Sequence, residues 1–168
     1  MKKLVTFIAA CLMLGTFAFA EGYICANDLE PGEITADKEE EDGFVLHATA
    51  EKNLTIENKP VHKSPAGEDY TVAIKLNGSG KPAFRSISFP AKKGETIVIH
   101  GNSGSKTEAR PLVLIGPDGK TVKELPMNVD GQAGTVASEG KVKAPADGTY
   151  TVFSKKSGIN IYYIGVTK

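Results

Sequence analysis

The sequence predicts an all-β chain folded as an antiparallel β-sandwich of jelly-roll type. Three observations carry that expectation. Apolar and polar residues alternate at period two in several short runs, glycine-centred turn pairs separate those runs, and no window after residue 43 shows an apolar stripe of helical period. Eighteen Gly and nine Pro in 168 residues suit short strands and tight turns. The hydrophobic content of 40% is enough for one packed core, and the length fits one main domain.

Taken in order, residues 1–20 read as an export signal. Lys2 and Lys3 give a basic start, residues 4–17 are almost wholly apolar, and Ala18-Phe19-Ala20 offers small residues before a cleavage point at Glu21. The apolar run is shorter than the roughly 20 residues a spanning helix needs. A lipoprotein box at Ile8-Ala9-Ala10-Cys11 is the weaker alternative, because too little apolar chain precedes Cys11. No later segment resembles a membrane span, so a soluble secreted product, extracellular or periplasmic, is expected. Cleavage leaves Cys25 alone, which excludes an internal disulfide scaffold and a Cys-rich zinc site.

Residues 21–42 carry Glu21, Asp28, Glu30, Glu33, Asp37, Glu39, Glu40, Glu41 and Asp42 against Lys38, a net charge of −8. Such a segment reads as a solvated leader without regular structure, either a spacer or a mask over a basic face. Residues 43–168 form the expected domain and carry net +6. Within it, Tyr70, Val72, Ile74 and Leu76 share one parity, and Ile87 and Phe89 alternate with Ser86 and Ser88. Ile97-Val98-Ile99, Leu112-Val113-Leu114-Ile115, residues 149–153 and residues 159–166 are further β-branched or aromatic runs. Gly78-Ser79-Gly80, Lys93-Gly94, Pro117-Asp118-Gly119, Asp130-Gly131 and Asp147-Gly148 supply turns between them.

Catalytic and metal chemistry is thin. His47, His62 and His100 fall on or beside different expected strands with no ligand spacing among them, and such histidines are usually surface or edge residues. There is no nucleophile elbow, phosphate loop or Cys/His pair. The Asp-Gly pairs are isolated, so they read as turns rather than calcium loops, and no cofactor is expected. A binding module fits better than an enzyme.

Several blocks resemble a known module. Ile74-Lys75-Leu76-Asn77-Gly78-Ser79-Gly80 followed by Phe84-Arg85-Ser86-Ile87-Ser88-Phe89 is similar to a block of the accessory carbohydrate-binding β-sandwich appended to bacterial pectate lyases and related pectin-degrading enzymes. Ser103-Gly104-Ser105 with Arg110-Pro111-Leu112-Val113-Leu114, then Pro145-Ala146-Asp147-Gly148-Thr149-Tyr150, then Ser157-Gly158-Ile159-Asn160-Ile161-Tyr162-Tyr163-Ile164, resemble later blocks in the same order. The resemblance covers roughly residues 44–168, and the closing block is the most specific. Asn77 stands where a second Gly is usual. The resemblance implies binding of pectic polysaccharide. The pre-peptidase C-terminal type of sandwich shares the turn and preceding strand, and it implies the alternative: a structural or adhesive envelope protein without sugar affinity.

Charge and composition point to an acidic ligand. The chain has no Trp, so a flat aromatic face for neutral glucans is not expected. Polygalacturonate offers repeated carboxylates that suit Lys and Arg donors. Nucleic acid meets the same charge requirement, but export and the lack of any base-stacking motif argue against it. The expected partners are thus an acidic plant polysaccharide and, in trans, pectin-degrading enzymes. The expected ligand contacts are Lys75, Arg85, Lys106, Arg110, Lys155, Asn160 and Tyr162, with Lys156 as a further exposed cation. Arg85 and Arg110 serve equally as salt-bridge or carbonyl clamps at the end of the core, and Tyr162 equally as core packing. A small lyase using Lys or Arg as base is the weakest reading, because uronate chemistry needs calcium or a close cationic set around the carboxylate.

Overall fold

The computed structural model describes residues 22–168, so the export signal lies outside the described residues. The strands are β1 (Gly22–Cys25), β2 (Gly32–Ile34), β3 (Lys38–Glu39), β4 (Val45–His47), β5 (Leu54–Lys63), β6 (Asp69–Leu76) and β7 (Ser86–Ala91). They continue with β8 (Thr96–Ser103), β9 (Arg110–Ile115), β10 (Thr121–Met127), β11 (Ser138–Lys143), β12 (Gly148–Ser154) and β13 (Ile159–Thr167). One sheet runs β11-β8-β13-β6-β5-β2 with β1 also on β13, and the other runs β10-β9-β12-β7-β4-β3. Every pairing between named strands is antiparallel. From β6 onward the chain changes sheet at each connection except the β9–β10 hairpin, which is the jelly-roll wrapping.

The alternating residues meet between the sheets. Val72, Ile74, Leu76, Ile97, Ile99, Ile159 and Ile161 of the first sheet pack on Ile87, Phe89, Leu112, Leu114, Tyr150 and Val152 of the second. Phe44, Phe89 and Tyr150 stack through this core, with ring centroids 5.3 and 6.5 Å apart. A bulge after Ile161 shifts the alternation of β13, so Ile164 and Val166 continue the core face.

The acidic leader is not separate from the domain. β1 pairs with Tyr163 to Val166 of β13, on the side that β6 covers only from Ile159 to Ile161. Asn27 bridges the fork between them: its Nδ2 donates to the Asp69 carbonyl at 2.8 Å, and its Oδ1 accepts the Thr71 and Val72 amides at 3.0 and 3.1 Å. Ile24, Ala26 and Ile34 are buried in the main core. The carboxylates meanwhile stay at the surface or cap backbone. Asp42 accepts the Tyr23 amide, and Asp37 accepts the Ala48 amide and contacts His47 Nδ1 at 3.0 Å. The boundary expected at residue 43 therefore falls inside the fold. Mean charge misled here because a few inward apolar positions decide burial, whatever their neighbours carry.

A strap, residues 128–137 between β10 and β11, crosses the outer face of the first sheet. The Asp130 amide donates to the Ser105 carbonyl at 2.8 Å, Gly134 to Val61 at 2.6 Å and Lys63 to Thr135 at 2.9 Å. Asp130-Gly131 thus belongs to the strap rather than to a hairpin turn. Beneath it lies a second cluster of Cys25, Tyr70, Ala73, Ala137 and Tyr162. His62 and His100 sit on this face at 1% and 7% exposure, so they are buried rather than surface or edge residues.

Candidate functional site

Three loops at one end of the sandwich, residues 77–85, 103–110 and 154–158, are tied into one platform. The Gly80 amide donates to the Ser154 carbonyl and the Gly104 amide to the Gly158 carbonyl, both at 2.8 Å. Glycine is required at both positions: a Cβ on Gly80 would collide with the Arg85 carbonyl, and one on Gly104 would stand 2.9 Å from the Gly158 oxygen. The motif glycines of the resembled blocks therefore meet here. Their loops carry Lys81, Arg85, Lys106, Arg110, Lys155 and Lys156 against a single carboxylate, Glu108.

The two arginines build the platform. Arg110 Nη1 donates to the Gly158 carbonyl at 2.9 Å, and its Nε lies 3.8 Å from Glu108. Arg85 sits in left-handed backbone (φ 50°), and its Nε points at the Asn53 carbonyl at 3.4 Å. Of the alternatives open at sequence level, the carbonyl clamp describes Arg110 best. Glu108 is shared between Lys156 and Arg110, and the Lys156 ammonium above all holds its carboxyl below the usual range. Lys155 pairs with Glu124 of β10 at 2.7 Å, beside a shallow groove of about 250 Å³ lined by Arg110, Pro111 and Pro126. Lys81 and Lys106 are exposed and have no carboxylate partner among the described residues. Lys81, which directly follows Gly80 between the two quoted blocks, was not among the expected contacts.

The other expected contacts lie on the outer face of the first sheet. Lys75 pairs with Glu57 at 3.1 Å. Asn160 is 1% exposed and donates through Nδ2 to Asp130 at 3.2 Å. Tyr162 is fully buried, with Tyr70 on one side (centroids 5.1 Å apart, planes 7°) and His62 on the other (5.3 Å, 30°). Asn160 and Tyr162 are thus no open sugar platform. The strap and the neighbouring rings occupy the space a sugar would need, and the packing alternative for Tyr162 is the one realised. Burial, with the Asp130 charge second, pushes the Tyr162 phenol above its ordinary range.

At the opposite end of the sandwich a groove of about 540 Å³ is lined by Phe44, Pro90, Lys92, Glu95 and Asp147. Its carboxylates cap turns: Glu95 accepts the Lys92 amide at 2.6 Å and Asp147 the Lys93 amide at 2.7 Å. Among the described residues no group of three His, Cys, Asp or Glu side chains is placed to hold a metal ion. No described helix is long and apolar enough to cross a membrane.

No protein-family model matches the chain, and none of the curated proteins does. Among solved structures it is similar to the module CsCBM6-3 of Clostridium stercorarium in complex with cellobiose, at 13% identity over 88% of this chain and 93% of that one, TM-score 0.46. It is similar to a family 35 carbohydrate-binding module of Clostridium thermocellum at 18% identity over 82% and 98%, TM-score 0.43. A Clostridium perfringens ZmpB structure containing CBM51-2 and INT domains, with GlcNAc, aligns at 8% identity and TM-score 0.46. The chain covers 32% of that structure's length.

Proposed function

We propose that this chain is a secreted, non-catalytic protein that binds acidic pectic polysaccharide on the platform formed by residues 77–85, 103–110 and 154–158. The observation that carries the reading is the charge of that platform, six cations against Glu108 on loops tied to one another. Lys81, Lys106, Lys155 and Lys156 supply mobile ammonium groups for successive uronate carboxylates, while Arg85 and Arg110 hold the loops that present them. Pairing with Glu108 and Glu124 is exchangeable, because solvent screens exposed ion pairs and leaves them weak. A polyanion with several carboxylates in register displaces them.

Affinity electrophoresis in gels containing de-esterified homogalacturonan tests this. Retardation at low salt, reduced in the variant Lys81→Ala/Lys106→Ala and lost near 1 M salt, where the Debye length is about 3 Å, is the expected result. Mobility unaffected by the polymer, with normal folding, leaves the structural sandwich without sugar affinity as the reading.

A further inference from the structure

Beneath the strap lie three buried polar groups, Asn102 Nδ2, Asn160 Oδ1 and the Tyr162 hydroxyl; Asn160 Oδ1 has no hydrogen-bond partner, and the Asn102 carboxamide lies against the Tyr162 hydroxyl. All three belong to residues no more than 1% exposed. Asn102 and Asn160 are register partners on β8 and β13, so their Cβ atoms stand about 4.5–5.5 Å apart on one face. One oxygen of Asp130, Oδ2, receives both Lys59 Nζ at 3.0 Å and Asn160 Nδ2 at 3.2 Å. The other, Oδ1, faces His62 Nε2 at 2.6 Å. Lys59 and Asp130 side chains are each 14% exposed, and Lys59 also lies 3.6 Å from Glu57. An amine, a carboxamide and a carboxylate thus share one nearly dry site on β5, β13 and the strap.

We propose that Lys59, Asp130 and Asn160 form an intramolecular isopeptide bond, Lys59 Nζ to Asn160 Cγ, with release of ammonia. Asp130 takes a proton from the Lys59 ammonium, and the freed lone pair attacks Asn160 Cγ. The carbonyl π pair moves onto the buried Oδ1, which accepts no hydrogen bond in the resting structure. The Cγ–Nδ2 bond then breaks as the carbonyl re-forms, with Asp130 passing protons from Nζ to the leaving nitrogen. Over the whole step Nζ gives up two protons and Nδ2 gains two, so nitrogen departs as ammonium. One amide forms, one breaks, and no oxidant or reductant takes part. Asp130 supplies the proximity, since a single oxygen gathers nucleophile and leaving group, and the flexible lysine stem completes the approach.

The bond is independent of the polysaccharide reading and is tested by mass rather than by binding. The purified chain, its N-terminus fixed by sequencing, is expected to weigh one ammonia less than its sequence. A proteolytic digest is expected to yield one branched peptide joining Lys59 to Asn160. Lys59→Arg, which keeps the cation, and Asp130→Asn, which keeps the shape, are expected at full sequence mass. Full mass for the unaltered chain after prolonged incubation, or a deficit mapping to any other residue pair, overturns the proposal.

Discussion

Replacing Ile24 by Ala asks whether the acidic leader is part of the fold. Ile24 is 4% exposed, pairs with Ile164 of β13 and faces the main core. Truncating a side chain buried in this way costs about 2–5 kcal/mol, transfer and residual cavity together. Asn27→Ala supplies a second measure, because it removes one donor and a carbonyl that serves two amides. The exposed Thr71 amide regains water, whereas Val72 is 8% exposed, so about 1–3 kcal/mol is expected. Urea unfolding followed by tyrosine fluorescence reads both. With m between about 1 and 3 kcal/mol/M, a loss of about 3 kcal/mol lowers the midpoint by about 1–3 M at unchanged slope. A midpoint that stays in place for both variants would mean that residues 22–34 do not pack on β13 and β6, and the account of the N-terminal strands would fail.

Two further outcomes follow from local geometry. Burial, chiefly, lowers the His100 pKa below its ordinary 6.5, consistent with the Tyr70 hydroxyl donating to Nδ1 at 2.6 Å. The unfolded chain then binds more protons below about pH 6.5, so stability falls as pH drops from there toward the lower folded pKa. Melting temperatures of the unaltered chain and of His100→Gln should converge as pH falls, and parallel curves would contradict the assignment. Gly80→Ala drives a methyl group against the Arg85 carbonyl and Phe153 Cβ. It should cost more than about 1 kcal/mol and lower the melting temperature by several degrees, whereas Gly119→Ala, where φ is 75° but the space is open, isolates the backbone strain without a clash.

Much of the sandwich was legible because its central strands alternate cleanly. β6, β7, β8, β9, β12 and β13 all coincide with apolar runs, and Gly94, Gly119 and Gly148 take positive φ at connections the turn pairs marked. The strands that escaped are short or polar. β1 to β4 have two to four residues each, so no period can establish itself; β1, β2 and β4 find their partners on β13, β5 and β7, and β3 pairs only with β4. β10 carries Pro126, an edge-strand residue that breaks the local pattern. At the candidate site the glycines and arginines were visible as motifs, but their role was not. Arg110 reaches a carbonyl 48 residues away, a partner that spacing alone does not reveal. Asn160 and Tyr162 shared a face as expected. What closes that face is the strap, held by Asp130 through contacts to residues on three other segments.

The central claim is that an acidic polysaccharide lies across the loop platform, and amide chemical-shift mapping with a short oligogalacturonate tests it most directly. The account predicts shifts concentrated in residues 78–85, 104–110 and 154–158, fading together as salt is raised. Little change is expected at Lys75 or along the opposite groove around Glu95 and Asp147. Shifts centred on that groove or on the outer face of the first sheet, or none at any oligomer concentration in a folded sample, would contradict it.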